Sequence, residues 1–159
     1  MRMRFLVFLV AIIGVVLGSA ASAAGWTHYF NARFGYGIDI PPGFSEVQEA
    51  DNSDGGVSRS ADGAAELKVW GAYLSDGDFK SDVAERVRSD AGDGWTISYD
   101  RRMAGNASWS GSKGSQILYM RALKGCDESA AYFQLIYARS GIKAYDKIVK
   151  RLVKSLSAC

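Results

Sequence analysis

The sequence predicts an α+β domain in which an antiparallel β-sheet is flanked by helices, an α/β/α sandwich. Short segments of alternating apolar residues follow one another with brief, turn-forming connections, which favours antiparallel neighbours. One helical pattern interrupts these segments, and a second closes the chain. The resulting order of strands, helix, four strands and helix fits a mostly antiparallel sheet whose faces the helices cover.

Residues 1–23 are typical of a secretory signal peptide. Arg2 and Arg4 precede an apolar run over residues 5–17, and Ala21–Ala23 forms an A-x-A cleavage site. The apolar run is short for a membrane span. We therefore expect cleavage and a periplasmic or secreted protein with no stable membrane span; a retained N-terminal anchor is the alternative.

Residues 24–159 have a length that suits a single globular domain with its own core. The whole chain has 19 Lys and Arg against 17 Asp and Glu, and removal of Arg2 and Arg4 makes the two numbers equal. A nucleic-acid partner is not expected, because such domains carry a strong positive balance.

The segment 29–44 forms the predicted opening hairpin. A first strand turns at Asn31–Arg33 into a second strand, which ends at Pro41 because proline lacks a backbone donor. Gly35 and Gly37 leave one face of the second strand bare, which favours close packing of a helix there over a ligand. The opposite face is apolar and carries Tyr36, Ile38 and Ile40.

A polar, acidic surface loop over 45–56 precedes a predicted hairpin around Asp62-Gly63. The second arm of this hairpin, 66–73, is apolar on both faces, which predicts a central strand covered on both sides.

Two helices and four strands complete the predicted order. The first helix spans 78–91 with Asp78 as its N-cap, and the last spans 141–157 with Ser140 as a candidate cap. The four strands between them are predicted at 95–102, 106–113, 115–123 and 130–139.

Cys126 and Cys159 are the two cysteines of the chain. In an oxidising compartment a pair of cysteines with no third favours one disulfide. The bridge would tie the last residue to a loop between two strands.

The opening Tyr29–Tyr36, with a proline closing the next strand, resembles a group of uncharacterised exported bacterial proteins. The Asp62-Gly63-Ala64 turn before a tryptophan-bearing strand and the closing Lys154-Ser155-Leu156 are similar to that group as well. The element order is similar to the fold shared by PsbP, an extrinsic photosystem subunit, and the Ran-binding Mog proteins. The resemblance implies an α/β/α sandwich with a binding or accessory role, and it carries over no catalytic residue.

The sequence lacks the residues that most catalytic and metal sites need. His28 is the only histidine, and its strand position favours a partly exposed strand residue over a Ser-His-Asp or Cys-His site. One histidine and two bridged cysteines cannot form a closed zinc site. The segment 50–56 resembles a calcium loop, but an EF-hand register places Ala50 and Ala61 at the two key carboxylate positions. A weak, irregular calcium site remains open, and no cofactor is expected.

Hydroxyl groups line one face of the strand around Trp109, which indicates either a solvated sheet edge or a shallow polar groove. A ligand site is predicted there. Its residues are Ser108, Ser110 and Ser112, with Arg101 and Arg102 from the preceding strand.

Two functions stay open. The first is a non-enzymatic binding or accessory domain for an envelope protein or small ligand. The alternative is a small envelope hydrolase that uses carboxylate and arginine chemistry, for which Asp39 is the best single candidate, without an identified partner carboxylate.

Overall fold

The computed structural model describes residues 25–75 and 78–159. The predicted signal peptide lies outside the described residues. The strands are β1 (Thr27–Asn31), β2 (Tyr36–Ile40), β3 (Gln48–Glu49), β4 (Gly55–Arg59), β5 (Ala65–Tyr73), β6 (Thr96–Arg102), β7 (Asn106–Lys113), β8 (Gln116–Lys124), β9 (Ser129–Ala138) and β10 (Ser157–Ala158). The helices are α1 (Phe79–Gly92) and α2 (Ile142–Ser155).

A seven-stranded sheet with the order β3-β4-β5-β9-β8-β7-β6 forms the body of the described structure. Every neighbouring pair in it is antiparallel. The short connections between β6, β7, β8 and β9 produce this arrangement, because hairpin-linked strands pair with their sequence neighbours. The predicted mostly antiparallel α+β class is confirmed.

Strand β5 lies between β4 and β9, as its apolar composition predicts. Leu67 and Val69 point into one apolar cluster, and Trp70 and Ala72 point into another on the opposite face. The alternation of side chains along a strand therefore places two cores on the two sides of one sheet.

A second, three-stranded sheet has the order β1-β2-β10. The terminal strand β10, which the sequence pattern did not predict, pairs with β2 antiparallel. The bare face of β2 does not receive a helix: a Cβ on Gly37 would meet the His28 ring and Ser157 Oγ, and one on Gly35 would meet Cys159. The expectation of helix packing at this face is wrong, because the His28 ring of β1 and the C-terminal residues Ser157 and Cys159 fill the space.

The two helices help to cover opposite faces of the seven-stranded sheet. On one face Phe79, Val83 and Val87 of α1 join the cluster that contains Trp109. On the other face α2 shares the covering role with the three-stranded sheet. This second core contains Tyr36, Ile38 and Ile40 of β2 and Val149, Leu152 and Leu156 from α2 and its end. Helix α1 thus contributes to the cover of one face, and α2 with the three-stranded sheet contributes to the cover of the other.

The two helices begin differently. Asp78 caps α1, since its carboxylate accepts hydrogen bonds from the backbone N–H groups of Lys80 and Ser81. Ser140 does not cap α2: a 3-10 turn at Arg139–Gly141 leads into the helix, and Gly141 holds the cap position without a side-chain bond. The apolar packing of α2 makes a cap dispensable there.

The structure joins Cys126 and Cys159 in a disulfide, in agreement with the prediction, with Cα atoms 5.9 Å apart. The bridge connects the β8–β9 loop to the residue that follows β10. It therefore fastens the three-stranded sheet to the seven-stranded sheet.

Candidate functional site

The predicted serine row lies on one face of β7. Ser108, Ser110 and Ser112 alternate with Trp109, whose side chain is fully buried on the α1 side of the sheet. Ser108 is itself buried. The row therefore faces the side of the sheet that α2 covers.

The two arginines of the predicted ligand site point to opposite faces of the sheet. Arg101 lies opposite Ser108 in the β6–β7 register, so it shares the face of the serine row. Arg102 lies opposite Ala107 and points to the other face, where its Nε donates to Asp100 at 2.9 Å. The structure brings Arg101 to the serines and takes Arg102 away from them, because adjacent strand residues point to opposite faces.

A groove of about 260 Å³ opens beside Ser108, at the junction of the sheet with α2. We call it the Arg groove. It is lined by Tyr99, Arg101, Met103, Asn106, Ser108, Tyr119, Arg121 and Val153. Ser110 and Ser112 lie further along the same strand and do not line it.

Arg121 is the central cation of the Arg groove, and sequence reasoning missed it. Its Nη1 donates to Asn106 Oδ1 at 3.0 Å and to Ser108 Oγ at 3.1 Å. Its Nε is shielded from solvent and has no hydrogen-bond partner among the described residues. Burial lowers the pKa of this guanidinium below its ordinary value. A signal was available, since an arginine in the middle of an otherwise apolar inner strand is unusual.

Four arginines of the described structure have carboxylate partners: Arg59, Arg86, Arg102 and Arg151. Arg86 Nε contacts Asp82 at 2.7 Å, and Arg151 Nε contacts Asp39 at 3.0 Å. The hydrogen-bond partners of Arg121 are neutral, and the lining of the Arg groove contains two arginines and no acid. The groove is therefore a positively charged recess with no internal counter-ion in its lining.

Asp39, the candidate carboxylate of the hydrolase alternative, is held by a histidine and an arginine. Its carboxylate contacts His28 Nδ1 at 3.1 Å and Arg151 Nε at 3.0 Å. Burial raises the pKa of Asp39, but the hydrogen bonds from His28 and Arg151 outweigh it and hold the pKa below its ordinary value. A carboxylate in this state is an ion-pair partner, whereas a general acid needs a raised pKa.

The opening segment is built for structure. The buried Asn31 side chain donates to the Ser53 carbonyl at 3.0 Å and accepts from the Phe34 N–H at 3.0 Å. The Phe34 ring lies against the backbone of Gly71, where any Cβ would overlap it. Arg33 donates to the Asn52 backbone carbonyl in the same loop. The segment thus fixes the loop between β3 and β4.

Residues 25–75 and 78–159 carry neither a metal-ligand cluster nor a membrane-spanning helix. These residues contain no group of three or more His, Cys, Asp or Glu side chains placed to hold a metal ion. In the same part of the chain no helix has the length and apolar character needed to span a bilayer.

Comparison with known proteins identifies the fold. No protein-family model matches the chain, and no curated protein matches it by sequence. The solution structure of cyanobacterial PsbP (CyanoP) from Synechocystis sp. PCC 6803 superposes with a TM-score of 0.61, at 16% identity, over 89% of this chain and 96% of that one. The crystal structure of the Saccharomyces cerevisiae Ran-binding protein Mog1p superposes with a TM-score of 0.63, at 8% identity, over 85% of this chain and 96% of that one. The chain therefore has a fold similar to that of PsbP and Mog1p, as its element order predicts.

Proposed function

We propose that this protein is an exported, non-enzymatic binding or accessory domain that holds its partner at the Arg groove. Export is supported by the signal-peptide pattern of residues 1–23 and by the disulfide, which belongs in an oxidising compartment. A binding role is supported by the fold neighbours, one of which is described as Ran-binding. Fold likeness gives only an analogy for function, so the argument rests on the groove itself.

The observation that carries the proposal is the state of Arg121. A partly buried cation normally has a carboxylate or other anion beside it, because desolvation without compensation is costly. The side-chain hydrogen-bond partners of Arg121 among residues 25–75 and 78–159 are the neutral Asn106 and Ser108. An anionic group of a binding partner that enters the groove would offset the desolvation cost of the Arg121 charge. In a purely structural site, a carboxylate of the protein itself would do so.

The hydrolase alternative gains no support from a specific contact. It needs two carboxylates in one cleft with separated pKa values. The side-chain partners of Asp39 among the described residues are His28 and Arg151, which favour its ionised form. We therefore retain the binding role alone.

Site-specific photo-crosslinking in the native host tests the proposal. A photoreactive amino acid replaces Met103, which lines the Arg groove and is 53% exposed, and in a matched variant it replaces the exposed Lys80 on α1. We expect a discrete adduct from position 103 and none of the same mass from position 80, with mass spectrometry identifying the partner. Adducts confined to position 80, or no adduct from position 103, would contradict the proposal.

A further inference from the structure

We infer that the Arg groove binds a carboxylate group, which Arg121 and Arg101 recognise; this inference rests on the proposed function and names its ligand chemistry. Two sources present the same group: a small organic acid and an acidic side chain of a peptide. The experiment below separates them.

Strand register places the two arginines on either side of one serine. Ser108 pairs with Arg101 on β6 and with Arg121 on β8, so all three side chains emerge on the same face in a row across the sheet. Neighbouring strands lie about 4.8 Å apart, so the two arginine Cα atoms are separated by roughly 10 Å. Two long guanidinium side chains span that distance easily, and together they can contact both oxygens of one bound carboxylate.

In the described part of the chain the guanidinium of Arg121 bonds to neutral side chains. The two hydrogen bonds to Asn106 and Ser108 need N–H donors, which a neutral side chain can also carry, and do not need a positive charge. The positive charge adds a desolvation cost, and the shielded Nε adds an unpaired donor. A bound anion would offset the cost of the charge, because electrostatic attraction is stronger in a recess than in bulk water.

The lining favours a carboxylate over a phosphate. Arg121 already uses Nη1 internally and its Nε is shielded, so this arginine offers a bound anion only its Nη2 group, and Arg101 supplies the other guanidinium donors of the lining. The remaining walls include two tyrosine rings, a methionine and a valine, which suit the carbon body of an organic acid. The volume of about 260 Å³ fits one such group and is small for a nucleotide.

Backbone amide NMR of the processed protein at low ionic strength tests the inference with four probes. Sodium benzoate represents a small acid, and an end-capped tetraglutamate peptide represents an acidic segment. Benzamide is the neutral isostere of benzoate, and inorganic phosphate is the competing anion. We expect saturable shifts at Ser108, Tyr119 and Arg121 with benzoate or the peptide, and the one that saturates at lower concentration identifies the source.

Two variants and a control tie the shifts to the arginines. Arg121→Gln keeps a hydrogen-bonding amide and should weaken carboxylate binding at least tenfold. Arg101→Gln, at an exposed position, should weaken it several-fold without risk to the fold. Arg88→Gln, an exposed position on α1 at the other face of the sheet, should leave binding unchanged.

The inference is overturned if no carboxylate probe saturates, if benzamide or phosphate binds as well as benzoate, or if both groove variants retain full affinity. Its failure is distinguishable from failure of the proposed function. A persistent crosslink at position 103 with no carboxylate binding would remove only the ligand assignment, whereas loss of that crosslink would remove the site.

Discussion

Replacement of Asn31 by alanine should strongly destabilise the protein, although the residue touches no predicted site. Its side chain is 2% exposed and makes three hydrogen bonds. Nδ2 donates to the Ser53 carbonyl at 3.0 Å and to the Tyr29 hydroxyl at 3.2 Å, and Oδ1 accepts from the Phe34 N–H at 3.0 Å. Asn31→Ala removes all three bonds at the junction of the opening hairpin with the β3–β4 loop.

The magnitude follows from the groups that lose their partner. A buried donor or acceptor left unpaired costs about 1–3 kcal/mol. The Phe34 N–H and the Ser53 carbonyl both lose their hydrogen-bond partner in a part-buried environment. We therefore expect the free energy of unfolding to fall by about 2–4 kcal/mol. This is a large share of a typical margin of about 5–15 kcal/mol.

Urea unfolding followed by tryptophan fluorescence measures the effect, since Trp109 is fully buried in the native state. The midpoint should fall by about 1–2 M with an unchanged slope. Asn52→Ala is the matched control, because that side chain is exposed and its backbone carbonyl, which Arg33 uses, remains. A midpoint for Asn31→Ala equal to that of Asn52→Ala would refute the reasoning.

Three further outcomes are expected. Phe34→Ala should lower the free energy of unfolding, measured in urea, by about 2–3 kcal/mol. This loss is smaller than the roughly 3–5 kcal/mol for a fully buried ring, because Phe34 is only partly buried over Gly71. The exposed Arg33→Ala should cost under about 1 kcal/mol; equal costs for the two would contradict this ranking. Cys159→Ser removes a disulfide that spans a sequence separation of 33. It should lower the free energy of unfolding by about 3–4 kcal/mol and leave the circular dichroism spectrum unchanged. Free thiols in freshly exported protein would argue against the bridge. N-terminal sequencing of the exported form should begin at Ala24, and an intact Met1 species in the membrane fraction would show that the signal is retained.

The sequence predicted the strands and helices better than it predicted which segments pack against them. The pattern over 66–73 indicated a central strand, and β5 is one, because apolar residues on both faces require cover on both faces. The short strand β10 was not predictable, since Ser157–Ala158 has no apolar periodicity and exists through its pairing with β2. Likewise Gly37 indicated close packing but not its neighbour, which is the ring of His28.

The candidate site shows the same division. The sequence by itself determined the serine row on β7 and the position of Arg101 near it, because side-chain alternation and hairpin order are local properties of the chain. The same alternation places Arg102 on the opposite face, beside Asp100 two residues earlier in the chain. Only the tertiary structure decided that Arg121 joins the groove with neutral hydrogen-bond partners. Whether a buried charge has a partner depends on residues brought together from distant parts of the chain, and no local pattern encodes that proximity.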